Sequence, residues 1–194
     1  MTVAAGQRDL TAKARIRNAA LELFAQFGEE GTSMRRIAEG AGVTVGLIVH
    51  HFGTKARLRE EVELHIVDLF TEAIASVPTD GDPRSVSERR DQAVAEMLAA
   101  QPLVVTYLRR AALGLNGPGS DLMRRLTQMA VDETARARAA GLVSSGRSNA
   151  HTVIQTMTRQ LGQLLLQPMI DSMWDQVGGD DDATHKPTLV VRLE

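Results

Sequence analysis

The chain has 194 residues, 43% of them hydrophobic and 24% charged, with a net charge of −2 and no cysteine. That length buries a substantial core without covalent staples, and the lack of cysteine excludes disulfides, thiolate metal sites and cysteine nucleophiles. No apolar run approaches the roughly 20 residues of a membrane helix, and residues 1–10 lack a secretory signal's apolar core, so a cytoplasmic protein with no membrane partner is expected.

The elements follow in order, and all are helical. In "TAKARIRNAALELFAQFG", residues 11–28, the side chains of Ile16, Ala19, Ala20, Leu23, Phe24 and Phe27 share one face, and Gly28 ends the run. "TSMRRIAEGA", residues 32–41, predicts a second helix capped by Thr32 or Ser33, with Met34, Ile37, Ala38 and Ala41 pointing one way. After a break at Gly42, Thr44 caps a third helix of about two turns through His51. "FGTK" resets the chain, and Thr54 caps a longer fourth helix with Val62, Ile66, Leu69, Phe70, Ala73 and Ile74 as its apolar stripe.

"PTDGDP", residues 78–83, is a turn-rich linker. Beyond it the pattern predicts helices at about 84–100, 102–114, 120–141 and 149–166, and a last one from Pro168 to about 178. The "QP" pairs at 101–102 and 167–168 are tight joins or kinks, because proline suits a first helical turn. The tail, 179–194, is acidic and expected to be mobile; its closing "TLVVRLE" either pairs as an edge strand or does nothing. Residues 1–10 form a flexible N-terminus, 11–54 a small head extending into the fourth helix to about 71, and 55–178 a larger helical body.

Two short helices and a tight turn between basic flanks make a helix-turn-helix, here at about 34–53. Ala38 is small where the helices cross, Gly42 permits a left-handed turn, and Ile48 locks the second helix to the first with Val43 and Ile37 in support. Charge agrees with this reading. Residues 1–59 carry nine Lys/Arg against five Asp/Glu, leaving thirteen basic and nineteen acidic residues for the remainder. A basic head on an acidic body suits a polyanionic partner, although so small an excess also fits an uneven surface without function.

From Ile16 to Lys55 the sequence resembles the DNA-binding head of the TetR family of transcriptional regulators. The resemblance rests on "AALELFAQFG", "TSMRRIAEGAGV", Gly46 in the third helix and "HHFGTK" closing it. It implies an all-α fold: a three-helix head, then a larger helical domain that binds effector and dimerises. Val49 departs from the pattern, which commonly has an aromatic residue there whose hydroxyl touches a DNA phosphate.

On double-stranded DNA, phosphate contacts fix register and the third helix reads base edges. Lys55, Thr32, Ser33 and Arg35 are the candidate phosphate contacts; Thr44 is a phosphate or base donor; Val45 and Leu47 can meet thymine methyls; Gly46 lets the backbone approach the groove. His50 or His51 is a further phosphate contact, and Thr44 equally reads as a plain helix cap. A metal site on the two histidines is disfavoured, because adjacent helical positions diverge by about 100°.

The resemblance further implies a homodimer through about 149–178, a near-palindromic operator and a small-molecule effector. Met97, Tyr107, Met123, Met157 and Trp174 are candidate pocket residues, with core packing as the plainer role for each methionine. No cofactor is expected. No nucleophile elbow, phosphate-cradling glycine loop or HExxH is present, which argues against an enzyme and leaves no catalytic residue to name. A helical carrier or interaction protein that has lost DNA binding is the remaining alternative.

Overall fold

A computed structural model describes residues 12–117, 119–142, 148–177 and 186–191. Among these residues the chain forms eight α-helices and no strand: α1 Ala12–Phe27, α2 Met34–Ala41, α3 Val45–Phe52, α4 Lys55–Ala75, α5 Pro83–Ala100, α6 Pro102–Ala112, α7 Leu122–Ala139 and α8 Asn149–Gln176. The flexible terminus expected at 1–10 and the tail residues 179–185 and 192–194 lie outside the described residues.

The helix starts follow cap chemistry. Ser33, Thr44, Thr54 and Ser148 each accept, through the side-chain oxygen, an amide from the first turn of α2, α3, α4 and α8 respectively. Asp82 does the same for α5, taking the Arg84 and Ser85 amides at 3.1 Å. Gly42 ends α2 in the left-handed region at φ 64°, and its neighbour Val43 returns an amide to the Ala38 carbonyl at 3.0 Å.

Two compact units are present. The first comprises residues up to 78 with 89–125, the second 79–88 with 126–194. In the first, α1 is the central strut, packed on α2, α3, α4 and α6. Ile16, Ala20, Phe24, Ile37, Ile48, Leu58, Val62 and Ile66 are buried there, each large side chain contributing about 1.5–3 kcal/mol of apolar burial. Because α6 packs on α1 as well, Leu21 and Ala25 are buried although they lie off the predicted stripe. Phe27, predicted to be inside, is 47% exposed, and the Arg36 guanidinium sits 4.3 Å from its ring centroid.

In the second unit Val86, Leu126, Ala137 and Val153 are buried. The two helices expected on either side of Pro168 are one: α8 runs through it. The tail is bonded to this helix. Gln167 grips residues 187–189 as a neighbouring strand would, donating from Nε2 to the Pro187 carbonyl (2.9 Å) and accepting the Leu189 amide at Oε1 (2.7 Å). Gln163 donates to the Leu189 carbonyl, and Lys186 pairs with Asp171 at 3.4 Å. The same segment is thereby stitched to α8 before and after the proline. Residues 186–191 join no strand, so the edge-strand option for "TLVVRLE" is not taken up by them. Gly162 makes room: a Cβ there would meet Val191 Cγ2 at 2.9 Å.

Candidate nucleic-acid interface

α3 is fixed by its inner face. Ile48 is fully buried and Phe52 nearly so, against Ile37, Ala38 and Ala41 of α2 and the side of α1. That anchoring leaves the opposite face outward: Thr44, Val45, Gly46, Val49, His50 and His51 are exposed, and Leu47 is half-buried. The exposed surface is a short ridge of small and apolar groups with two imidazoles at its C-terminal end. The two rings meet edge-on, 5.3 Å apart. Among the described residues no three His, Asp or Glu side chains converge as a metal set.

Two of the expected phosphate contacts are committed elsewhere. Lys55 does not reach outward: its ammonium donates to the Glu29 carbonyl at 2.8 Å and the Thr32 carbonyl at 3.1 Å. The Glu29 carbonyl also accepts the Thr32 amide at 3.2 Å within the turn, and the half-buried ammonium gives both carbonyls a charged donor. Thr32 is 1% exposed, its hydroxyl donating to the Gly28 (2.8 Å) and Leu23 (3.2 Å) carbonyls, so its side chain belongs to the turn. Ser33 and Arg35 stay on the surface, Ser33 as the α2 cap and Arg35 paired with Glu39 at 3.2 Å. Arg36, which the sequence reading passed over, is exposed beside them, laid over Phe27.

Residues 16–62, from α1 into α4, match the family model described as bacterial regulatory proteins, tetR family. The HTH-type transcriptional regulatory protein RaaS of Mycobacterium tuberculosis is 36% identical over 194 residues, an alignment covering 96% of this chain and 87% of that protein.

The chain belongs to the tetR family of bacterial regulatory proteins.

Solved structures share the fold. A protein of Shewanella sp. PV-4 described as a tetR family transcription regulator superposes with a TM-score of 0.66 at 22% identity, covering 89% of this chain and 92% of that one. FadR from Bacillus subtilis, solved with stearoyl-CoA, gives 0.65 at 15% identity, with 86% and 92% covered. As a TetR-family member the protein is a DNA-binding transcriptional regulator, with an N-terminal helix-turn-helix followed by a helical domain.

The five candidate effector residues of this TetR-family chain are not one cluster within a unit. Met97, Tyr107 and Met123 lie in the first unit, Met157 and Trp174 in the second. Tyr107 is 1% exposed and its hydroxyl donates to Glu63 at 3.3 Å. Burial, and then the Glu63 charge, push that phenol's pKa well above its ordinary value. Tyr107 is therefore part of the packed interior, with its polar end already taken.

That hydroxyl belongs to a buried ionic cluster the sequence reading missed. Glu63 is fully buried on α4, accepting Ser120 Oγ at 2.7 Å and the Asp121 amide at 3.2 Å, with Arg125 Nε 3.8 Å away. Arg59, one turn earlier on α4 and 6% exposed, pairs with Glu29 and donates to the Gly119 carbonyl at 2.9 Å. A signal existed: Arg59 and Glu63 fall in helical phase with Val62, Ile66 and Phe70, where a solvated charge has no place.

Proposed function

We propose that this regulator acts as a homodimeric repressor on a near-palindromic operator and is released by a small-molecule effector. The observation that carries it is the outward face of α3, held from behind by Ile48 and Phe52 and turned to solvent at Thr44, Val45, Gly46, Val49, His50 and His51. Two such helices about 34–36 Å apart enter successive major grooves of one duplex. Val45 and Leu47 meet thymine methyls, Gly46 admits the backbone, and Ser33, Arg35, Thr44, His50 and His51 supply phosphate or base donors. Lacking Arg or Asn between 44 and 51, the helix reads apolar edges and duplex shape more than bidentate patterns.

Dimerisation is supported by the second half of α8. Leu166, Met169, Met173 and Val177 repeat at helical spacing and are exposed, Met169 and Met173 each by 55%. A stripe of that kind suits a helix-on-helix interface with a second copy. Val153, within the 149–178 range expected for that surface, is 3% exposed and serves the protein's own core. For the effector, the support is a shared fold: FadR holds stearoyl-CoA.

The test is selection of bound duplexes from a random-sequence library, followed by gel shift of the recovered duplex over a salt series. A near-palindrome bound by two copies, with affinity falling steeply as salt rises, is the expected result. Recovery of no duplex at low salt would overturn it and favour the carrier, which the apolar Val49 in the aromatic's place also favours.

A further inference from the structure

The turn between α1 and α2 leads directly into the helix-turn-helix. Three side chains from outside that turn hold it. Lys55 takes the Glu29 and Thr32 carbonyls, and Arg59 takes the Glu29 carboxylate. Arg110, at the end of α6, crowds Gly28 so closely that a Cβ there would stand 2.6 Å from its guanidinium.

Two of those side chains, Arg59 and Arg110, also hold a second segment together with Glu63: residues 113–117 and 119–121 of the loop between α6 and α7. Arg110 donates to the Leu115 carbonyl at 3.0 Å, and Arg59 to the Gly119 carbonyl at 2.9 Å. Glu63 receives the Ser120 hydroxyl and the Asp121 amide. Loop and turn are thus two ends of one buried cluster, with Arg59 in contact with both. Burying charges in this way stabilises little compared with an apolar cluster of the same volume. What it adds is geometry, since the Arg59 guanidinium reaches the Glu29 carboxylate and the Gly119 carbonyl together in one arrangement of its neighbours.

We propose that Arg59 is a positioning residue for DNA recognition: by joining the Glu29 turn to the Gly119 carbonyl it aims the helix-turn-helix from the 113–121 loop, so displacement of the loop re-aims the head. The proposal rests on the dimeric DNA-binding reading, because aim matters when two heads must match one duplex. It names a residue that touches no DNA and a loop that carries the motion.

The experiment uses the duplex recovered by the wild-type chain from a random library, and variants of it with one or two base pairs added or removed between half-sites. The quantity read is the ratio of affinities for original and altered spacing. Loss of folded protein scales every affinity alike and leaves that ratio unchanged; a re-aimed head changes it. Arg59→Met should flatten the ratio by about tenfold, a typical size for coupling between sites, with helix content and dimer retained. Arg59→Lys keeps the charge without the fork that serves two partners at once, and should fall between. Ser120→Ala lies in the loop, removes one hydroxyl donor to Glu63, and should flatten the ratio more weakly. It decides the matter if Arg59→Met does not fold. Wild-type ratios in the folded variants would overturn the positioning role alone. Recovery of no duplex by the wild-type chain would overturn the DNA reading first, and this inference with it.

Discussion

The Lys55 ammonium lies 2.8 Å from the Glu29 carbonyl oxygen, which makes the lysine closing the head's sequence motif a clasp on the α1–α2 turn. Removing it exposes two carbonyls that lose a charged donor. Lys55→Ala should therefore cost about 1–3 kcal/mol of stability, read by chemical denaturation. DNA affinity should fall while the slope of log affinity against log salt stays at the wild-type value. A slope reduced by about one, with stability intact, would make Lys55 a phosphate contact after all.

Val49 is 50% exposed on the outward face of α3. The family commonly carries an aromatic hydroxyl at this place. Val49→Tyr should add one phosphate contact and raise affinity for the selected duplex about fivefold, near 1 kcal/mol, by gel shift. Affinity unchanged or lowered would mean that position 49 does not face the duplex.

Met173 sits in the middle of the exposed α8 stripe. An unpaired carboxylate desolvated at a dimer interface costs about 3 kcal/mol or more. Met173→Asp should thus raise the dimer dissociation constant at least about a hundredfold in sedimentation, with helix content unchanged. A dimer as tight as wild type would remove this stripe from the interface.

His65 on α4 has its pKa lowered, first by burial and then by the charge of Arg17, with Asp68 and Glu72 pulling the other way. The unfolded chain, whose histidine titrates near 6.5, therefore takes up a proton more readily than the folded one. The contribution to stability is complete above that value and is lost as pH falls through the lowered folded pKa. His65→Gln should flatten this part of the pH–stability curve. An identical slope in the variant would show that another group carries it.

Much of the head was legible because local chemistry dictates it. Ser33, Thr44 and Thr54 cap the helices they were expected to cap, and Gly42 adopts the left-handed turn. Ile37, Ala38 and Ile48 are buried where the spacing of the motif put them. Long-range partners were not legible. Leu21 is buried off the predicted stripe, on a helix that α6 also packs against, and the Arg36 guanidinium lies over the Phe27 ring. Pro168 looked like a boundary because it lacks an amide hydrogen, yet α8 runs through it.

Sequence alone determined the eight-helix pattern's head, its caps and its outward ridge, since each depends on residues within a few positions of one another. Only tertiary structure decided the work of the charged groups. Lys55 reads as a phosphate contact, and the partners of Arg59 and Glu63 stay unnamed, until the chain brings Glu29 and residues 119–121 against α4. An ion's role is set by what lies within a few ångströms of it, and for these three much of what lies there comes from far along the chain.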